Sequence, residues 1–173
     1  MTKNILNHLT LTLTLLTLAA CGGGGGGGGA TVTPTVYTTA TVKIALTGTL
    51  PTDTAIIGAV LTLTLPDNVI PELVNGAVAG SVVTPSGVFA GGALIPVVYK
   101  EATASAPGMV VIGLASAAAT GVAETGEVAT VTLRLTNSAA PTAGSFTLDQ
   151  TVTDTSGKVV SGLSATVSGV TLQ

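Results

Sequence analysis

Past residue 21 the chain has no histidine, no tryptophan and no cysteine: the one histidine is His8, the one cysteine is Cys21, and tryptophan is absent throughout. Cysteine–histidine pairs and Ser-His-Asp triads therefore have no members there. Zinc and copper sites built on those ligands are excluded as well, and a single cysteine leaves no internal disulfide. Charge is scarce. Five Lys and Arg against eight Asp and Glu give a net charge of −3, which supplies neither a basic footprint for nucleic acid nor a polybasic patch for anionic lipid. The aromatics are only Tyr37, Phe89, Tyr99 and Phe146. Long apolar runs are missing too. Val88 to Tyr99 is broken by Gly91-Gly92 and Pro96, and Met109 to Ala119 falls short of the roughly 20 residues a spanning helix needs. The apolar content is thus expected to fill a globular core, and these absences leave carboxylate chemistry open in principle.

The start of the chain is organised differently from the rest. Met1 to His8 is polar and carries Lys3; Leu9 to Leu18 is apolar apart from threonines; small residues follow. This is the pattern of a secretory signal. Its end, Leu18-Ala19-Ala20-Cys21, resembles the lipobox of bacterial lipoproteins at all four positions. The resemblance implies cleavage of residues 1–20, a diacylglycerol on the Cys21 sulfur and an acyl chain on its new amino group; the alternative is an ordinary signal peptide with an incidental cysteine. Two or more acyl chains, at about 0.8 kcal/mol per buried methylene, give stable anchoring.

Eight glycines, Gly22 to Gly29, come next. They cannot bury a side chain, and they are expected to form a flexible tether spanning about 15 Å, extended to residue 35. A phosphate-binding loop would need a preceding strand and a following Lys-Ser/Thr pair, and neither is present. Gly22 after the lipid cysteine, by the same resemblance to bacterial lipoproteins, implies export to the outer membrane or cell surface. Loss of Lys3 with the leader takes the net charge to about −4.

From residue 36 to 173 the dominant pattern is two-residue alternation, with no helix-period stripe. In "TATVKIALTG" Val42, Ile44 and Leu46 share a face. In "IIGAVLTLTLP" Ile57, Ala59, Leu61, Leu63 and Leu65 do so, and in "GEVATVTLRLTN" Ala129, Val131, Leu133 and Leu135 oppose Thr130, Thr132 and Arg134. "SFTLDQTV" sends Phe146 and Leu148 one way and Thr147 and Asp149 the other, and "LSATVSGVTLQ" makes a last strand. Turn signals at Thr47-Gly48, Pro66-Asp67-Asn68, Pro85-Ser86-Gly87, Pro107-Gly108, Gly121, Asn137-Ser138, Pro141 and Asp154 to Gly157 separate the runs. Only "GLASAAAT", Gly113 to Thr120, is a candidate helical turn. Eight or nine short strands at this spacing predict an all-β, antiparallel β-sandwich of jelly-roll or immunoglobulin-like type.

Four stretches carry a further resemblance. "IIGAVLTLTLPDNV", "GMVVIGLASA", "TGEVATVTLRL" and "DTSGKVVSGLSATVSGVTLQ" resemble, in that order, strands and the terminal Asp-x-x-Gly turn of the bacterial cohesin domain and its carbohydrate-binding-like relatives, over roughly Ala40 to Gln173. The corner reads Leu65-Pro66-Asp67, without the family's tyrosine, and Leu133 stands where cohesins often carry phenylalanine. The resemblance implies a non-catalytic sandwich that binds a dockerin-bearing protein through a sheet face. Its alternatives are a carbohydrate-binding module acting in polysaccharide breakdown and a passive structural component of the envelope.

Few residues stand out as sites. Glu124 and Glu127 flank Gly126; a glycosidase pair is conceivable, but solvated strand edges are the simpler expectation. Asp149 and Asp154 lack the Asp-x-Asp-x-Asp-Gly spacing of a calcium loop, and Asp154 is expected to form a turn. No metal or cofactor is expected. Tyr99, closing the apolar segment "GGALIPVVYK", is the best candidate for an exposed ligand-stacking ring, whereas Phe146 alternates into the core. Tyr99 and Asp149 are the candidate ligand-binding residues, Cys21 is the lipid-attachment residue, and Lys43 and Arg134 are expected to guard strand edges.

Overall fold

Two antiparallel sheets are built by strands that pair in nested order. The computed structural model describes residues 35–173, and Thr35–Gln173 cluster as one unit. The leader over 1–20, Cys21 and the glycine run lie outside the described residues. The strands are β1 (Thr39–Gly48), β2 (Ile56–Thr64), β3 (Val69–Pro71), β4 (Leu73–Val74), β5 (Ala77–Val78), β6 (Val83–Pro85), β7 (Ala93–Lys100), β8 (Met109–Ala115), β9 (Glu127–Leu135), β10 (Thr147–Asp154) and β11 (Leu163–Leu172). One sheet runs β11-β1-β9 and ends in β3 and β6, which both lie against β9; the other runs β10-β2-β8-β7. First pairs with last (β1 with β11), second with second-last (β2 with β10), β3 and β6 with β9, and β7 with β8. A long hairpin rolled over on itself makes such nested pairs, so the architecture is the jelly-roll form of the expected sandwich.

The inward faces are those that alternation predicts, with Val42, Ile44 and Leu46 of β1, Leu61 and Leu63 of β2, Val110, Ile112 and Leu114 of β8, and Val131 and Leu133 of β9 all at 2% exposure or less. Each such side chain contributes about 1.5–3 kcal/mol on leaving water. Among the described residues no charged or polar side chain is buried. The half-buried Gln150 lies on the inward parity of β10, and its Nε2 donates to the Leu163 carbonyl at 3.0 Å, tying the edge of one sheet to the edge of the other.

Bulges interrupt the alternation at four places. Pairing passes over Ile57 in β2, Val128 in β9 and Ser168 in β11, and β7 sets Pro96 and Val97 against the single Ile112 of β8. An extra residue flips the phase of everything beyond it. At the start of β2 it is therefore Ile56, fully buried, that enters the core, while Ile57 is half-exposed, contrary to the simple alternation. In β9 both Val128 and Ala129 are buried.

Three other local features differ from expectation. "GLASAAAT" is not helical: β8 runs to Ala115 and a bend and turn follow, because Gly113 and Leu114 are held in the ladder against β2. Single 3-10 turns occur instead at Gly87–Phe89 and Ala143–Ser145. Asn75-Gly76, with φ of 53° and 81°, closes a small β4–β5 ribbon that alternation does not reveal; this is the dipeptide a type I′ hairpin turn prefers.

Lys43 and Arg134 sit on β1 and β9, which are interior strands, so they guard no edge. The strands bearing proline do: Pro71, Pro85 and Pro96 lie in β3, β6 and β7, all of them edges.

The one aromatic fully removed from solvent is Phe89, at 0% exposure in the turn before β7. Phe89→Ala is expected to destabilise the fold by about 3–5 kcal/mol. In urea the midpoint is expected to fall with an unchanged slope; an unchanged midpoint would show that Phe89 is not a core residue.

Candidate binding face

The two outer faces of the sandwich differ chemically. On the five-stranded sheet β1, β9 and β11 present Thr41, Lys43, Thr130, Thr132, Arg134, Ser164 and Thr166. On the four-stranded sheet β2, β8 and β7 present Val60, Val111, Gly113, Ala115, Ile95 and Val98. Threonines and Asp149 of β10 border this second surface, and Lys100 closes one corner. Val60, Ile95 and Val98 are 46%, 53% and 51% exposed, unusual for large apolar side chains.

A hollow lies in this apolar face, toward the Gly58–Ala115 end of the β2–β8 ladder. It measures about 260 Å³ and is lined by Val60, Ile95, Ala115, Thr151 and Thr153 around the backbone of Gly58. It exists because Gly58 and Ala115, which pair across β2 and β8, place almost no side chain beside Val60 and Ile95. Ile95 leans across Gly113 so closely that a Cβ there would sit 2.9 Å from the isoleucine's own Cβ and Cδ1. The only side-chain polar atoms at the hollow are the Thr151 and Thr153 hydroxyls, and the latter donates to the Gly58 carbonyl at 3.4 Å. The arrangement offers contact area for an apolar group, bordered by these two hydroxyls.

Tyr99 does not belong to this surface. The Pro96-Val97 bulge shifts the phase of β7, so Val98 faces out and Tyr99 turns inward, half-buried and packed against the core, as Leu94 and Val97 are. Its hydroxyl lies near Gly108; burial first, and then the nearby Glu101, push its pKa up, against a smaller opposing effect of the Ala102 N–H. The expected exposed ring is thus an anchor for the 101–108 loop. Tyr37 is half-buried too, and Phe89 and Phe146 are buried, so none of the four aromatics offers a stacking platform.

Asp149 is exposed on the outer face, opposite Thr62, with β2 and β8 lying between it and β7, and the structure does not bring it together with Tyr99. Asp154 closes a turn: its Oδ1 accepts from the N–H groups of Ser156 and Lys158 at 2.8 and 2.9 Å. Among the described residues no three His, Cys, Asp or Glu side chains gather as a metal site requires.

Glu127 is more constrained than a solvated strand edge. The Val128 bulge points it outward, onto the same face as Lys43 and Thr130. Its Oε1 accepts from Ser86 Oγ at 2.7 Å and from Thr130 Oγ1 at 3.5 Å, and its Oε2 from Lys43 Nζ at 3.1 Å. Ser86 also donates its N–H to the Val128 carbonyl at 3.0 Å. The next residue, Gly87, has φ of 51° and passes so close to Glu127 that a Cβ would fall 2.2 Å from the Glu127 carbonyl oxygen. Only glycine fits there. Glu124 takes no part in the cluster. Comparison with protein-family models, with curated proteins and with solved structures found no match.

The Ser86 hydroxyl, and then the Lys43 ammonium, hold the Glu127 carboxyl below the ordinary carboxylate range. A carboxyl whose pKa is lowered on folding adds stability above its unfolded pKa, and that contribution is lost as the pH falls through the folded value. Glu127→Gln is accordingly expected to unfold at lower urea than the parent at neutral pH, with the gap closing on acidification below the ordinary carboxylate range. A gap that stays constant with pH would mean that the carboxylate's charge contributes nothing.

Proposed function

We propose that this chain is a lipid-anchored, non-catalytic binding module that holds a protein partner on the outer face of its four-stranded sheet. The observation that carries the reading is the hollow between Val60 and Ile95: an apolar, uncharged depression on an exposed face without aromatic rings. Interface centres are depleted in charge and packed around a few apolar anchors. A sugar platform calls for exposed rings, and here the four rings are turned inward. The cohesin-like pattern of the sequence supports a partner bound through a sheet face, with a dockerin-like domain as its candidate. The lipobox at Leu18 to Cys21 and the glycine run support display of the module from the outer membrane or cell surface on a flexible tether.

The reading is tested by immobilising the lipidated chain in detergent and passing over it an envelope and secreted-protein extract of the source organism, with calcium and then with chelator. A captured protein is expected whose affinity falls at least about tenfold with Val60→Asp, equivalent to 1.4 kcal/mol. Retention only with calcium marks a dockerin-like partner, since dockerins fold around calcium. Retention without calcium keeps a protein partner and removes the dockerin. Capture of polysaccharide alone, or of nothing by a folded protein, contradicts the proposal.

Anchoring has its own test. Cys21→Ser is expected to move the chain from the detergent-rich to the aqueous phase in a detergent phase-separation assay, and to abolish the mass added by acyl groups. A variant that stays membrane-bound overturns the lipid anchor.

A further inference from the structure

The sandwich ends in five edge strands, and four of them are blunted. β3, β6 and β7 carry Pro71, Pro85 and Pro96, and β7 has its bulge and Lys100 as well. β10 carries Asp149 and Asp154, and its end is covered by the chain that follows, with Asp154 N–H donating to the Lys158 carbonyl at 2.9 Å and Val160 N–H to the Val152 carbonyl at 2.8 Å. β11 is the exception. Its ten residues, "LSATVSGVTL", include no proline and no charge. The bulge at Ser168 leaves Leu163–Val167 as an uninterrupted stretch beside β1. Proteins ordinarily protect such an edge, because its unpaired backbone groups are a template for another strand.

The direction of those groups follows from two side-chain bonds. The Ser164 carbonyl faces β1, where Thr47 Oγ1 donates to it at 3.2 Å. The Leu163 carbonyl faces away, to Gln150 Nε2. Backbone groups alternate along a strand, so Ala165 and Val167 also turn their N–H and C=O away from β1. Among the described residues no backbone group pairs with them on that side.

We propose that this edge pairs with the same edge of a second copy of the chain, antiparallel and centred on Ala165. The register is self-complementary. Ala165 meets Ala165 of the second copy, the smallest side chain of the stretch lying on the two-fold axis. Leu163 meets Val167 of the second copy, so that every outward-turned N–H and C=O faces an outward-turned group. Ser164 meets Thr166 of the second copy on the polar face, a hydroxyl pair of the kind that stabilises neighbouring strands. On the core side Leu163 and the half-buried Val167 continue the apolar layer across the junction. The contact is isologous and closes at two copies, joining the two five-stranded sheets into one. It leaves the hollow on the other sheet free in both copies.

The test combines sedimentation velocity of the full chain in detergent micelles with residue-resolved amide exchange. The parent is expected to form a dimer whose population rises with concentration, and the Ala165 and Val167 amides are expected to slow at least tenfold as it forms. Val167→Pro removes an N–H that faces away from β1; it is expected to be monomeric with unchanged circular dichroism. A parent that stays monomeric up to its solubility limit overturns the proposal. So does a dimer that a folded Val167→Pro retains, or one in which the Ala165 and Val167 amides exchange as fast as in the monomer. If Val167→Pro disturbs the fold, the exchange of these two amides in the parent decides alone.

Discussion

The register of β9 is the constraint on which the rest of this sandwich depends. β9 pairs with β1 on one side and with both β3 and β6 on the other. A slip of one residue would exchange Val131, Leu133 and Leu135 with Thr130, Thr132 and Arg134, and would misalign three other strands at once. The bulge at Val128 sets that register at its start. It lets Val128 and Ala129 both enter the core while Glu127 stays outside. The Ser86-Gly87 turn, the Lys43 ammonium and Thr130 then close on the carboxylate. Because the bulge is held by bonds from β1 and from the turn after β6, it fastens one end of the five-stranded sheet.

This division of labour explains why the two outer faces differ. The face that carries the Glu127 cluster is rich in hydroxyls and holds an ion pair, so its side chains are partly committed to one another. The face of β10, β2, β8 and β7 has almost nothing that bonds within itself. Its valines and isoleucines stand in solvent, and Gly58 and Ala115 leave a hollow beside them. An exposed apolar surface costs solubility and marks an interaction site more often than chance does. The β11 edge is a second, separate surface of the same kind, made of backbone rather than side chains. On the reading proposed here, a tethered module with a self-pairing edge brings two copies of its binding face together without obstructing either.

Much of this was legible in the residues. Alternation in "TATVKIALTG" and "GEVATVTLRLTN" placed the inward side chains of β1 and β9 correctly, and the turn residues marked where strands end. Two misplacements share one cause. Ile57 lies at a bulge and Tyr99 beyond one, where an extra residue inverts the alternation that identifies a face. Period-2 patterning carries no mark of that inversion. Only Pro96 hinted at it, since proline inside a strand belongs to an edge or a bulge. The Asn75-Gly76 hairpin was readable from its dipeptide but is too short to alternate visibly. The hollow was not legible at all, because it arises where Gly58 and Val60 of β2 meet Ala115 of β8, Ile95 of β7 and Thr151 and Thr153 of β10, strands distant in sequence. Lys43 and Arg134 illustrate the same limit: whether a charged strand is an edge depends on strand order, which alternation does not encode.

Native-state amide exchange tests the central role of β9 most directly. If its register holds the sandwich together, the amides of Ala129 to Leu133 and of their partners in β1 exchange only through global unfolding, at the free energy obtained from denaturant. Those of the edge strand β7 exchange through smaller openings. Exchange of β9 at a lower free energy than β7 would contradict the account.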